Sequence, residues 1–179
     1  LDVITHNESI YHKNTNNFDK RIEHVKEQCQ RVCDAVKKSF HDGFFPIVLS
    51  GDHSSALGTI SGIKAAFPEK ILGVIWIDAH ADINTQDTSV TKNRHGMPVS
   101  CLLNLMPHWY EVSQQHTYLK PENIIYVGIR DLDPPEIDII NKLKELILVI
   151  GKKISVSSIN YINYQKYNKI FLLFVIIIM

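Results

Sequence analysis

The sequence has 179 residues, 45% hydrophobic and 21% charged, with 19 basic side chains against 19 acidic ones and no net charge. That length suits one domain, and the composition excludes intrinsic disorder, collagen and coiled coil. A neutral chain also lacks the bulk positive charge on which nucleic-acid binding depends, so no nucleic-acid partner is expected.

Residues 1–16 show no clear period and read as a loop. Ile22, Val25, Cys29, Val32, Val36 and Phe40 then recur at intervals of three and four, which predicts a helix over residues 17–40. Gly43 suits the left-handed position that closes such a helix. Pro46-Ile47-Val48-Leu49 is a short apolar run and reads as a first buried strand, followed at once by Gly51-Asp52-His53-Ser54. A helix is predicted over 55–67, stopped by Pro68. Leu72-Gly73-Val74-Ile75-Trp76-Ile77 reads as a second buried strand that ends at Asp78. A polar loop follows over 79–94, then a helix over 98–105 with proline in its first turn. The segment 123–129 reads as a third strand, and 134–144 as a helix opening with two prolines. Strands and helices alternate, and the strands are continuously apolar. This predicts an α/β fold, a three-layer α-β-α arrangement around a mainly parallel sheet covered on both faces.

Three cysteines are too few for a disulfide framework, and their odd number suggests free thiols in a reducing compartment. With no basic, apolar leader at Leu1 to Glu8, a cytoplasmic location is expected. Cys29 and Cys33, four apart on the apolar stripe of the first helix, read as core residues.

The neutral total hides a split. Glu145 is the last acidic residue, and residues 146–179 carry four lysines, no histidine and no proline. From Gly151 onward, Ile, Asn, Lys and Tyr supply 17 of 29 residues, all with A/T-rich codons. Residues 1–145 are therefore expected to form the domain. Residues 146–179 are expected to be a hydrophobic, basic tail foreign to it, of the kind a translated intron or shifted frame yields. The apolar run from Ile170 to Met179 is ten residues long. A membrane-spanning helix needs about 20, so no membrane partner is expected.

The polar clusters fall at the carboxyl ends of the expected strands, where parallel sheets bind ligands. Asp78-Ala79-His80-Ala81-Asp82 alternates three potential metal ligands with two alanines. Carboxylate and imidazole together suit Mn, Fe, Co or Zn, and a carboxylate-rich set favours Mn. His53 adds a ligand from the preceding strand end. Histidine as a residue type suits a general acid, base or proton shuttle near neutral pH, and His95 stands ahead of Gly96-Met97-Pro98 as the candidate for that role.

These residues resemble the ureohydrolase family, and within it the arginases. Gly51-Asp52-His53-Ser54 and Asp78-Ala79-His80-Ala81-Asp82 match its first two metal motifs. Asn84-Thr85, Thr88-Ser89, Asn93 and His95-Gly96-Met97-Pro98 resemble the arginase substrate loop. Gly128-Ile129-Arg130-Asp131-Leu132-Asp133-Pro134 is arginase-like as well. The resemblance runs from about Leu1 to Glu145 and implies an incomplete arginase-like fold. It implies a binuclear Mn2+ hydrolase, with two ions per complete site, that converts L-arginine to L-ornithine and urea through a metal-bridged hydroxide. His53 and Asp82 would hold one ion, His80 the other, and Asp78 would bridge them. His95 would shuttle the proton. Asn84, Thr91 and Asn93 would receive the substrate carboxylate, and Asp133 its α-amino group. A homo-oligomer, typically a trimer, is implied too.

Departures from the family pattern shape the expectation. Lys92 stands where the family usually has glycine, and Ser50 replaces another glycine. The family draws two more metal ligands from an Asp-x-Asp motif on a further strand, and a later glutamate meets the guanidinium. No carboxylate side chain follows Glu145 here. Weak binding of mostly one ion is therefore expected, with arginase activity impaired or absent. The alternatives are an agmatinase-like ureohydrolase, or an inactive chain that binds metal or a complete subunit.

Overall fold

The structure, a computed structural model, describes residues 18–106, 118–143, 148–150 and 170–175. The elements in chain order are α1 (Phe18–His41), α2 (Ser55–Ala66), β1 (Ile71–Ile77), α3 (Pro98–Leu102), β2 (Ile124–Val127), α4 (Pro134–Leu143), β3 (Leu148–Ile150) and β4 (Ile170–Val175). Single 3-10 turns lie at Arg94–Gly96 and Pro121–Asn123. The reading of residues 1–16 as a loop lies outside the described residues.

The four strands form one sheet in the order β3-β2-β1-β4, and every pairing is parallel. The α/β class and its parallel sheet are as the alternating pattern implied. Val74 to Ile77 pair with Ile124 to Val127, so β1 and β2 end side by side. On the other side of β1, Trp76 pairs with Val175. Two of the four strands thus come from residues beyond Glu145.

One expected strand is absent. Residues 44–50 form no strand, and Ile47 and Leu49 stand 83% and 90% exposed. Apolar β-branched residues favour a strand only where another strand takes up their backbone groups. The neighbours of β1 are already β2 and β4, so the segment runs outside the sheet. Only Val48 of this run packs on the core, and only partly.

The core is built by close helix packing beneath β1. Cys29, Val32, Cys33 and Val36 bury one stripe of α1, as the period predicted. They meet α2, which is buried over nearly its whole surface. Gly58 and Gly62 allow this. A Cβ on Gly58 would lie 2.3 Å from the Cys29 carbonyl oxygen, and one on Gly62 would lie 2.6 Å from that of Cys33. Gly43 closes α1 with φ +84°, the left-handed geometry expected there. Among the described residues no helix is long and apolar enough to cross a membrane.

Candidate metal centre

The site forms where the start of α2 faces the end of β1. His53 sits just ahead of α2, and its carbonyl accepts the Ala56 N–H at 3.0 Å. Asp52 shapes that turn by accepting from both the backbone N–H and the hydroxyl of Ser54. The His53 ring is buried and lies 4.4 Å from the Trp76 ring, tilted by 33°. This apolar wall fixes the imidazole and turns its Nδ1 toward the β1 end.

Three ligand atoms meet there. Nδ1 of His53 lies 2.7 Å from Asp78 Oδ2 and 2.6 Å from Asp82 Oδ2. His53, Asp78 and Asp82 together offer atoms within 4.8 Å of one another. Despite the short distances, His53 Nδ1 and Asp82 Oδ2 are both buried without a hydrogen bond of acceptable geometry. Buried polar atoms with no partner are rare in folded proteins. An imidazole nitrogen and two carboxylate oxygens aimed at one spot form a fitting donor set for a divalent cation. Burial pushes the Asp82 carboxyl above the ordinary aspartate value, and the adjoining His53 partly offsets this.

His80 stays outside this group. The 78–82 segment is not extended: Asp78 Oδ1 accepts the His80 N–H at 3.0 Å, and Asp82 takes a left-handed φ of 51°. His80 is 52% exposed, with Nδ1 3.4 Å from Asp78 Oδ1 and Nε2 3.5 Å from Asp131 Oδ2. The two oxygens of Asp78 therefore face two different histidines.

Beyond the ligands, the next residues run along a buried wall. Tyr126 Oη donates to the Ala81 carbonyl at 2.7 Å, and the Val99 N–H to that of Asp82 at 3.0 Å. Glu136 accepts the Ile83 N–H at 3.1 Å, and Ser100 Oγ donates to the Asn84 carbonyl at 2.6 Å. Four successive residues are thus anchored from three other elements. Burial raises the Tyr126 phenol well above its ordinary value, so it stays a donor. Sequence reasoning missed these anchors. Only Glu136 carried a local sign, since Asp133-Pro134-Pro135-Glu136 has the spacing of a capping box.

The candidate substrate residues are placed in two groups. Asn84 is buried, and its Nδ2 donates to Asp133 Oδ2 at 2.9 Å across the loops. Thr91 and Asn93 are exposed and adjoin through an Asn93 N–H to Thr91 Oγ1 bond of 3.3 Å. Lys92 between them holds φ 58°, a left-handed value that glycine adopts without strain. Its backbone N–H donates to Ser89 Oγ at 3.1 Å. His95 is exposed in the turn Arg94–Gly96.

The arginase family model matches residues 4–160. This chain belongs to the arginase family. An arginase from Eremothecium gossypii is 40% identical over 121 residues, which are 66% of this chain and 30% of that one. Among solved structures, Bacillus subtilis arginase superposes with TM-score 0.70 and 33% identity, covering 78% of this chain and 47% of the other. Entamoeba histolytica arginase in complex with L-ornithine superposes with TM-score 0.65 and 34% identity, covering 73% and 44%. The fold is that of the arginases, three-layer α/β with a mainly parallel sheet, present here in part. The chain spans between 30% and 47% of these arginases' length.

Proposed function

We propose that this chain carries part of an arginine-hydrolysing metal centre and holds one divalent cation, Mn2+ being the ion that suits its carboxylate-rich donors. The observation that carries this reading is the convergence of His53 Nδ1, Asp78 Oδ2 and Asp82 Oδ2 at the carboxyl end of a parallel strand. The chemistry a divalent cation supplies at such a site is activation of water near neutral pH. A complete family site takes two Mn2+ ions. Here, among the described residues, the second position has only His80 and a share of Asp78, too few donors to hold an ion tightly.

The other residues recognise the substrate and move its proton. Asp133, oriented by the Asn84 amide, receives the α-ammonium of L-arginine, since an anion suits a cation. Asn84, Thr91 and Asn93 offer neutral donors to the α-carboxylate. As water adds to the guanidinium carbon and the carbon–nitrogen bond to ornithine breaks, His95 would pass a proton of that water to the departing amine, leaving urea. The L-ornithine complex of the Entamoeba relative supports this choice of amino acid.

Calorimetric titration with Mn2+ of the chain and its His53→Ala variant tests the centre. One ion per chain is the expected result, with affinity reduced about tenfold or more in the variant. Two tightly held ions would overturn the single-ion reading, and no binding would overturn the site. Any urea release should favour arginine over agmatine, and the reverse preference would overturn the substrate. A folded chain that binds Mn2+ yet releases no urea points to the non-enzymatic alternative.

A further inference from the structure

Glu136 is a buried acid on the first turn of α4. Its Oε2 accepts the Asp133 N–H at 3.1 Å, and Ile137 N–H donates to the Asp133 carbonyl at 3.1 Å. This is half of an ordinary capping box, in which the third helical residue reaches back to the capping backbone. Such a box uses one carboxylate oxygen on a local amide and leaves the other to solvent. Here the second oxygen, Oε1, reaches 53 residues back along the chain to the Ile83 N–H at 3.1 Å. Ile83 directly follows Asp82, and Asn84, next in line, bonds Asp133 through its side chain. One buried carboxylate thus holds two amides from the two segments that frame the site.

We propose that Glu136 is a positioning residue that ties the segment bearing Asp82 to the loop bearing Asp133, so that cation binding and amine recognition keep a common register. The proposal rests on the metal reading of His53, Asp78 and Asp82, which it deepens. The Glu136 oxygens accept from the Ile83 and Asp133 amides and not from the ligand side chains. A charged acceptor serving two N–H groups is stronger than a neutral one and has two directions to satisfy at once. No other acidic side chain of α4 is buried among the described residues. The tie also explains why an acid sits inside the protein, where burial raises its carboxyl above the ordinary glutamate value while the two amides oppose that rise.

The test compares the chain with Glu136→Ala and Glu136→Gln. It reads Mn2+ affinity by titration and amide hydrogen exchange of Ile83 and Asp133 by NMR, with Val74 and Trp76 in β1 as references. In Glu136→Ala both amides should exchange faster, the β1 amides should stay as they are, and Mn2+ affinity should fall about tenfold or more, as loss of an outer support typically causes. Glu136→Gln keeps the shape but offers one oxygen and one NH2, so one amide should be released and the affinity should lie between. The Gln variant carries the test if the Ala variant does not fold. Unchanged exchange at both amides would overturn the proposal. So would equal acceleration throughout the chain, which marks general loss of stability, or release of both amides with unchanged Mn2+ affinity. If the unsubstituted chain binds no Mn2+, the metal reading fails by itself, and exchange at the two amides still decides whether Glu136 joins the segments.

Discussion

Cys29, Cys33 and Cys101 are free, buried thiols. Burial pushes Cys29 and Cys101 up to about 12 and Cys33 up to about 11. Cys29 Sγ also donates to the Ser54 carbonyl at 3.3 Å, in the turn that carries His53. The thiolate is the reactive form, so all three should be inert in the folded chain at neutral pH. Alkylation with iodoacetamide should be slow in buffer and rapid in urea; equal rates would show that the thiols are not enclosed. The same burial has a pH consequence. The folded chain holds these protons more tightly than the unfolded chain does, so their stabilising contribution is complete below the ordinary thiol value of 9.0. It is lost as pH rises toward 11 and 12. Circular dichroism against pH should show alkaline unfolding in that window, and Cys29→Ala should shift its onset upward.

At the scale of elements, α1 and α2 are locked by Gly58 and Gly62 against the Cys29 and Cys33 carbonyls. These obstacles are backbone atoms, which cannot rotate aside. Gly58→Ala gains helix propensity of about 1 kcal/mol but must part the helices, an overpacking cost of about 1–3 kcal/mol or more. Urea unfolding should show net destabilisation, whereas Ala66→Gly at the half-buried last position of α2 should cost little beyond the propensity. Equal midpoints for Gly58→Ala and the unsubstituted chain would refute the close approach. Much at this scale was legible in the sequence. The stripe through Cys29, Val32 and Val36, the stop at Pro68 and the run 72–77 gave α1, α2 and β1 to within a residue or two, because period and breakers act locally. Residues 46–49 misled, because a strand exists only with a neighbour and the sequence does not name one. The centre was legible in the same proportion. His53, Asp78 and Asp82 stand in short motifs, and they converge. The turn that swings His80 outward depends on an Asp78 hydrogen bond and a left-handed Asp82, and alternation along an extended strand does not describe it. The anchors Tyr126, Ser100 and Glu136 act across up to 53 residues, beyond the reach of any local pattern.

For the molecule as a whole, the segment that fails to enter the sheet decides solution behaviour. Phe44, Phe45, Ile47 and Leu49 stand in a row with most of their surface in water. Phe45 has one edge contact with Phe40, and no backbone hydrogen bond within 45–49 is formed with other described residues. An exposed apolar segment whose backbone groups are unpaired among the described residues invites pairing with another chain. The chain has no net charge to oppose this, and near-neutral proteins associate readily. Concentration-dependent self-association is therefore expected by sedimentation velocity. Ile47→Lys with Leu49→Lys should shift the distribution toward monomer while leaving the far-ultraviolet spectrum unchanged, since neither side chain touches the core. These substitutions also add two positive charges. Glu69→Gln with Asn141→Lys, at exposed positions elsewhere, adds the same charge and separates the two causes. Association relieved by the first pair alone assigns it to the 44–49 segment. Equal relief by both pairs makes it a matter of net charge, and no relief by either moves the contact to another surface.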